Sequence, residues 1–187
     1  DQQTKDEIRL LKQFMRGIGT YGAEIKVGGF SGYLCELLIL YYGCFLETLR
    51  EASGWRMGAV VDLEGAYKGR PDEAQRLFNA TLIVVDPVDP GRNASAAVSK
   101  ERLGELIMAS RIFLERPSLS FFFPPEVEPF LASSLRKRLS ILGCDLVLLV
   151  FKGDIVVPDV LWGQLYRSLR SLRRLLVQHD FQVLRAS

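Results

Sequence analysis

A lysine and a tyrosine near the start of the chain form a pair that could hold a triphosphate. Lys12 lies on the polar side of the first predicted helix, and Tyr21 follows it by nine residues, just past the helix end. A lysine ammonium supplies a mobile point charge, and a tyrosine hydroxyl supplies a directional hydrogen-bond donor. The spacing alone is also typical of a solvated lysine and a packing tyrosine, so both interpretations stay open.

An acidic, proline-rich segment further along carries an arginine that could read a nucleotide. It runs Val85-Asp-Pro-Val-Asp-Pro-Gly-Arg-Asn. The two carboxylates could bind a metal ion, but no third ligand is nearby, so we predict a rigid turn whose aspartates cap backbone amides. The turn would aim Arg92, whose planar guanidinium suits a phosphate or a base edge. A plain surface charge is the alternative.

Two glycines precede the start of a strongly apolar helix. Gly28 and Gly29 come just before Ser31, a good N-cap residue. Such glycines could let the backbone approach a phosphate at the helix N-terminus, where free amides favour anions. The pattern is neither a Walker loop nor a dinucleotide-binding fingerprint. A tight turn that packs the first two helices together is the competing interpretation.

Basic residues gather in two places near the end of the chain, and both could contact an RNA backbone. One cluster is consecutive, and the other falls on one side of the last predicted helix. Basic stripes opposite a leucine face are also typical of a solvated surface. The residues are Arg136, Lys137, Arg138, Arg167, Arg170 and Arg174.

Composition limits the kinds of protein that the chain can be. It has 187 residues, 48% of them apolar and 25% charged, which is typical of a globular protein. The net charge is only +2, so nucleic-acid binding would have to come from local clusters. Three cysteines in apolar runs and a single histidine predict buried, reduced thiols in a cytoplasmic protein, without disulfides or a metal site. The most apolar stretch, 37–45, is well short of the roughly 20 residues that a membrane span needs.

The first two thirds of the chain read as a mainly helical domain with a small β-ribbon, so the fold class is α+β. Thr4 and Glu7 fit a capping box that opens a helix ending at Gly17–Gly19. Ser31 then caps a helix of about 20 residues, and Ser99 caps one that stops near Pro117. Between these two helices, 59–63 and 81–86 read as strands of an antiparallel ribbon, joined by a polar loop or variable insertion over 64–76.

The last third reads as the first half of a small α/β unit. Three aromatics and two prolines over 121–125 indicate a boundary between a domain at 1–120 and a second part at 121–187. A helix carrying 134–138 comes next, followed by a strand at 146–151, a helix capped by Asp159 and a strand at 181–184. Half a unit cannot bury its sheet, so we expect a cut fragment whose open sheet edge could pair in a homodimer.

These segments together resemble the archaeal (class I) CCA-adding enzymes. The similar strings match in order and spacing over at least residues 6–123. They are Asp6-Glu-Ile-Arg-Leu-Leu-Lys-Gln-Phe, Gly19-Thr-Tyr-Gly-Ala-Glu, Gly29-Phe-Ser-Gly-Tyr-Leu-Cys-Glu-Leu-Leu, the acidic turn at 85–93, and Arg116-Pro-Ser-Leu-Ser-Phe-Phe. The resemblance implies the central domain of that enzyme, related to the substrate-binding domain of poly(A) polymerases and oligoadenylate synthetases. A partial ferredoxin-like RNA-binding region would follow it.

The resemblance also implies a function and assigns three residues to it. The whole enzyme would add C, C and A to the 3′ end of tRNA from CTP and ATP without a nucleic-acid template. Lys12 and Tyr21 match the residues that hold the triphosphate, and Arg92 matches the arginine that reads the base. Mg²⁺ would bind a head domain that this chain lacks, so we expect the piece alone to be inactive. Gly28 stands where the family often has arginine, which weakens any ligand contact assigned to that loop.

Two other interpretations remain open from the sequence. One is a non-catalytic RNA-binding module that reuses the same domain. The other is a relative of the poly(A) polymerases or oligoadenylate synthetases. The upstream sequence and the sequence of the product would distinguish them from CCA addition.

Overall fold

The computed structural model describes residues 1–126, 131–150 and 157–184. Seven α-helices and two short strands are assigned within these ranges. The helices are α1 (Gln2–Gly17), α2 (Gly32–Tyr42), α3 (Phe45–Gly54), α4 (Pro71–Phe78), α5 (Lys100–Glu115), α6 (Ala132–Leu142) and α7 (Pro158–Gln178). The strands are β1 (Ala59–Asp62) and β2 (Leu82–Val85), and a 3-10 turn spans Leu119–Phe121. The predicted α+β class is confirmed.

Helix α1 begins three residues earlier than the predicted capping box. The Asp1 carboxylate accepts a hydrogen bond of 2.7 Å from the backbone N–H of Thr4, so Asp1 is the N-cap. Glu7 does not reach back to Thr4. It accepts a 2.8 Å bond from the N–H of Phe45, one of the free amides that open α3. The prediction of Thr4 as N-cap was therefore wrong, because an equally good cap lay upstream and a tertiary partner claimed Glu7.

The predicted long apolar helix is two helices that meet at Gly43. Ser31 caps α2 as predicted, its Oγ accepting a 3.0 Å bond from the N–H of Leu34. Gly43 then adopts a φ of +89°, a conformation that favours glycine and ends the helix. The chain bends by 95° into α3, so the predicted single helix was wrong. The bend brings Phe45 into the core against Phe14.

The two helices on either side of this bend bear on membrane association. No single helix in the described ranges is long and apolar enough to cross a membrane. Helices α2 and α3 reach that length and apolarity only when they are counted together across the bend. Within the fold, both helices contribute buried side chains to the main hydrophobic core.

An aromatic cluster fills the core between α1, α3 and α5. The ring of Phe14 lies 5.4–5.8 Å from four other rings, centroid to centroid. Those rings belong to Phe45, Phe113, Phe121 and Phe122. The first two phenylalanines of the predicted boundary segment therefore pack on the helical domain. The division at residue 120 stays a prediction.

The small sheet is parallel, which corrects the predicted antiparallel ribbon. Ala59 of β1 pairs with Leu82 of β2, and the register continues to Asp62 and Val85. The intervening segment, predicted as a loop, contains α4. Parallel strands need a crossover of a dozen or more residues, usually a helix, and 63–81 is long enough to supply one. Helix α4 opens at Pro71 and ends at Asn79, which adopts the left-handed conformation.

A buried hydroxyl in α5 gives a test of the core. The Oγ of Ser110 is buried and has no hydrogen-bond partner within the part of the chain that the structure describes. Ser110→Ala removes an unsatisfied polar group and adds a better helix former, so we expect the free energy of unfolding to rise by about 0–1 kcal/mol. The control is Ser95→Ala. Ser95 Oγ donates to the carbonyl of Leu82 at 2.7 Å, so its loss should cost about 1–3 kcal/mol. Urea unfolding measures both, and a loss above 1 kcal/mol for Ser110→Ala would contradict the assignment.

The two predicted strands of the last third are not formed in the described residues. Residues 146–150 and 181–184 have no regular structure, and 151 lies outside the described residues. A strand is stable only beside a partner strand or a packed face, and neither segment finds one within these ranges. The sheet edge expected to support a homodimer is therefore absent from them. The predicted helix over 134–138 is confirmed as α6, but α7 is capped at Val157 with Pro158 first, not at Asp159.

The cysteines are free, as expected, but they differ in burial. Cys35 is buried in α2, and burial raises the pKa of its thiol to about 12. Cys35 therefore stays a protonated packing residue at neutral pH. Cys44 and Cys144 are half-buried, so the prediction of three buried thiols was right only for Cys35.

Candidate nucleotide-binding site

The structure brings Lys12 and Tyr21 together at the first residue of α2. A Cβ atom built on Gly32 would lie 3.1 Å from Tyr21 Oη and 3.5 Å from Lys12 Nζ. The ammonium and the hydroxyl therefore flank one point at the start of the helix. Lys12 comes from α1, and Tyr21 is held by a β-bridge to Phe30. Two donors, one of them charged, therefore lie close together, and their role in holding a triphosphate stays a prediction.

Two residues that the sequence analysis did not single out contact this pair. The guanidinium carbon of Arg16 lies 4.6 Å from the centre of the Tyr21 ring, in a cation–π contact. Glu36 accepts a 2.7 Å ion-paired hydrogen bond from Lys12 Nζ. The i, i+4 spacing of Lys12 and Arg16 was a usable signal for one shared helix face. Glu36 could be found only from the packing of α1 on α2.

Arg92 projects from a turn whose aspartates bind the turn's own backbone. Asp86 Oδ1 accepts a 3.0 Å bond from the N–H of Val88, and Asp89 Oδ1 accepts a 3.0 Å bond from that of Gly91. Arg92 Nη1 lies 3.6 Å from Asp86 Oδ2, an ion pair too long for a hydrogen bond. Two thirds of the Arg92 side chain is exposed, at 67%. The turn therefore steers the guanidinium while leaving it open to a ligand.

Tyr33 joins this turn to α2. Its hydroxyl donates a 3.1 Å hydrogen bond to Asp86 Oδ1. Because Tyr33 follows Gly32 directly, the residues that steer Arg92 and the residues beside Lys12 meet in the first turn of one helix. Tyr33 could not be identified from the sequence, since only the fold shows which carboxylate its hydroxyl reaches.

The pKa shifts of Asp86 and Tyr33 agree with the hydrogen bond between them. The hydrogen bond from the Val88 amide, with the Tyr33 hydroxyl and the Arg92 charge, lowers the pKa of Asp86 below its usual range. Such a carboxyl stabilises the fold above its unfolded pKa, and that contribution is lost as the pH falls through the folded pKa. Asp86 is therefore ionised at neutral pH. Partial desolvation and the bond to Asp86 raise the pKa of Tyr33, so its hydroxyl keeps the proton that it donates.

Asn93 fixes the far end of the turn to the sheet. Its Oδ1 accepts a 2.9 Å bond from the N–H of Val84, and its Nδ2 donates a 2.9 Å bond to the carbonyl of Leu82. The hydroxyl of Tyr67 donates a 2.9 Å bond to the carbonyl of Pro90. The turn is thus tied to β2 and to the crossover segment, which supports its interpretation as a rigid mount. Sequence reasoning did not identify these two anchors.

An open groove of about 1020 Å³ runs beside this turn. Its walls include Ser31 and Tyr33 from the start of α2, Arg92 and Asn93 from the turn, and Asn79 from the end of α4. A groove of this size is large enough for a nucleotide. Arg92 lines this groove, and so do Ser31 and Tyr33, the two sequence neighbours of Gly32.

The glycine pair before Ser31 has a structural reason. A Cβ on Gly29 would lie 2.9 Å from the carbonyl carbon of Thr20, closer than such atoms pack, and 3.1 Å from the carbonyl oxygen of Gly22. Gly28 has a φ of +61°, and its carbonyl accepts a 2.8 Å bond from the N–H of Ser99. These contacts favour the tight-turn interpretation. The phosphate-cradle interpretation gains no support from them.

The basic clusters lie on exposed helices. The consecutive cluster, Arg136, Lys137 and Arg138, is on α6. Arg167, Arg170 and Arg174 share one side of α7, as their spacing predicted. Helix α7 contacts the loop that follows Tyr21, because Tyr166 Oη donates a 2.9 Å bond to the carbonyl of Lys26. An RNA-binding role for these clusters stays a prediction.

The described residues offer no clear metal site. They contain no group of three or more histidine, cysteine, aspartate or glutamate side chains that could hold a metal ion. Asp86 and Asp89, the pair considered from sequence, are engaged with backbone amides. This donor set does not fit a bound Mg²⁺ ion, whose octahedral shell needs oxygen ligands that are free to coordinate it.

Comparison with known proteins gives two family matches. Residues 6–123 match the tRNA nucleotidyltransferase second domain, and residues 142–187 match the C-terminal domain of CCA-adding enzymes. The chain is 45% identical over 184 residues to the CCA-adding enzyme of Sulfurisphaera tokodaii. It is 41% identical to those of Saccharolobus solfataricus and Sulfolobus acidocaldarius. Each alignment covers 98% of this chain and 40% of the relative, so the chain spans well under half of the relatives' length.

Proposed function

The chain belongs to the family of the tRNA nucleotidyltransferase second domain, and we propose that it serves an enzyme that adds CCA to the 3′ end of tRNA. The whole enzyme would use CTP and ATP as substrates and tRNA as the acceptor. The similarity to named CCA-adding enzymes over 98% of the chain supports this proposal. The observation that carries it is the meeting of Lys12 Nζ and Tyr21 Oη at Gly32.

Lys12, Tyr21 and Arg92 bind different parts of the incoming nucleotide. Lys12 and Tyr21 hold the triphosphate, the first as a charge and the second as a directional donor. Arg92 reads the edge of the base from the groove, with the Asp86–Tyr33 network keeping it in place. Holding the nucleotide in line with the tRNA end is itself a source of rate, because well-oriented reactants can gain about 7–11 kcal/mol.

Chemistry at the phosphorus belongs to another part of the enzyme in this proposal. A head domain would bind Mg²⁺ with its own carboxylates, so the chain alone would bind nucleotide without adding it. The exposed stripe of Arg167, Arg170 and Arg174 would contact the tRNA backbone, together with the cluster on α6. The enzyme would work in the cytoplasm.

The expected homodimer stays a prediction. Light scattering measures the molar mass in solution, which distinguishes a monomer from a dimer.

The reaction is tested with the chain joined to a catalytic head domain. Incubation with CTP, ATP and a tRNA that lacks its 3′ CCA should extend the tRNA by these three nucleotides. Sequencing of the product separates the alternatives. A run of adenosines would indicate a poly(A)-polymerase-type enzyme, and binding without extension would indicate an RNA-binding module. Either outcome would contradict the proposal.

Lys12 gives a test on the chain as it stands. We expect Lys12→Ala to weaken the binding of CTP about tenfold, because a charge-assisted hydrogen bond to phosphate contributes about 1.5–3 kcal/mol and water screens part of it. Isothermal titration calorimetry measures the affinity. Lys5→Ala, on an exposed part of the same helix, is the matched control and should bind like the wild type. Equal binding by both variants would remove Lys12 from the site.

A further inference from the structure

Glu36 is ion-paired with the ammonium group of Lys12, the group that the proposed triphosphate would bind. The distance from Lys12 Nζ to Glu36 Oε1 is 2.7 Å. Glu36 lies one helical turn after Gly32, so the ammonium sits along α2 between the helix start and this carboxylate. The Lys12 side chain is 21% exposed and that of Glu36 is 45% exposed, so solvent and ligands can reach the pair.

We propose that Glu36 is an internal counter-ion that exchanges with polyphosphate at Lys12 and limits how tightly the site retains it. This inference rests on the proposed function, in which Lys12 holds a triphosphate. The contact with Lys12 is the observation from which we infer a role for Glu36. It is a competitor for the ammonium, not a further ligand of the nucleotide.

Electrostatics decides between competition and simple positioning. Glu36 could instead help by holding the flexible lysine in place for its ligand. However, a phosphate oxygen bonded to Nζ at about 3 Å would come within about 6 Å of the Glu36 carboxylate. At that separation two like charges near a protein surface repel appreciably. The repulsion from Glu36 acts on every negative charge of a polyphosphate. It therefore weakens binding by more than the ordering of one lysine side chain strengthens it.

The exchange itself is easy. Glu36 is about half exposed but Lys12 is mostly covered, so the pair is partly exposed. A partly exposed ion pair adds little to stability, so a ligand with several negative charges displaces a single carboxylate. The reverse step matters after nucleotide addition. In that reaction the tRNA 3′ oxygen bonds to the α-phosphorus and the α–β phosphate bond breaks. Pyrophosphate leaves with the bonding electron pair, and the hydroxyl proton passes to solvent. Glu36 then re-forms its ion pair with Lys12, which favours release of the pyrophosphate.

The test compares Glu36→Gln with the wild type by calorimetric titration of the chain with inorganic pyrophosphate and tripolyphosphate. We expect Glu36→Gln to bind both about five- to tenfold more tightly at low salt, with the difference shrinking as ionic strength rises. Glu47→Gln is the matched control, because Glu47 is also a half-exposed glutamate paired with a basic residue, Arg50. It should bind like the wild type. In the Lys12→Ala background, adding Glu36→Gln should gain less than in the wild type, because the competition at Lys12 is gone.

The possible outcomes separate the two proposals. Unchanged or weaker binding by Glu36→Gln, with a melting temperature within about 2 °C of the wild type, overturns the counter-ion role and leaves Lys12 as a ligand. Polyphosphate binding that does not depend on Lys12 in any variant overturns the proposed site itself. An equal gain for Glu36→Gln and Glu47→Gln would indicate a general charge effect, which also overturns the inference.

Discussion

Replacing Gly17 with alanine is expected to lower the free energy of unfolding by about 3 kcal/mol, the upper end of the usual cost of overpacking. A Cβ at this position would overlap the carbonyl oxygen of Phe121 and lie 2.8 Å from its carbonyl carbon and 2.9 Å from that of Phe122. These are backbone atoms, so no side-chain rotation relieves the clash. The 3-10 turn would have to move away from α1 and draw Phe121 and Phe122 out of the aromatic cluster.

A matched glycine controls for the substitution itself. Gly104 is exposed within α5, and a Cβ there would have no neighbour within 4 Å. Gly104→Ala should therefore raise stability by up to about 1 kcal/mol through helix propensity. Urea unfolding followed by circular dichroism measures both variants. If Gly17→Ala stayed within 1 kcal/mol of the wild type, the close approach of α1 and the turn would not hold in solution.

Features that depend on local chemistry were predictable from the sequence. Ser31 and Ser99 cap α2 and α5 as expected, because an N-cap needs only its own hydroxyl and an amide three residues later. The ends of α1 and α5 followed from glycine and proline for the same reason. The turn at 86–92 also formed as predicted, since its aspartates reach amides only two residues away.

Features that depend on distant partners were not predictable. The direction of β2 relative to β1 is set by how the crossover packs, and both directions satisfy the same apolar pattern. The break at Gly43 could not be seen in an apolar pattern that continues through it. Likewise, 146–150 looks like a buried strand, but its burial requires a neighbour that the described residues do not provide.

The residues of the candidate site also fall into those that the sequence indicates and those that only the fold reveals. Spacing alone left Lys12, Tyr21 and Arg92 ambiguous, and the family resemblance raised them to candidates. Their surroundings needed the fold. Glu36 comes from a different helix than Lys12, and Tyr33 lies far in sequence from the carboxylate that it binds. The sequence therefore supplied the groups that are proposed to face a ligand, and packing supplied the groups that contact them.

If the chain serves CCA addition as proposed, Arg92→Ala is expected to lower kcat/KM for CTP and ATP addition about 100-fold in a protein that joins the chain to a catalytic head domain. A bidentate contact from arginine to a base edge contributes about 1–3 kcal/mol, and each 1.4 kcal/mol is a tenfold change in rate. Stability should change little, because the side chain is 67% exposed. Gel analysis of tRNA extension measures the rates. The control is Arg56→Ala, another exposed arginine, which should retain wild-type activity.

Two further variants distinguish base reading from a simple charge effect. Arg92→Lys keeps the charge but loses the planar fork, so it should recover only a small part of the activity if Arg92 reads a base edge. Asp86→Asn keeps Arg92 but removes its counter-charge 3.6 Å away, so it should give an intermediate loss. Full recovery by lysine would mean that Arg92 acts only as a positive charge. Wild-type rates for Arg92→Ala would mean that the rigid turn, however well it is anchored, does not present this arginine to the nucleotide.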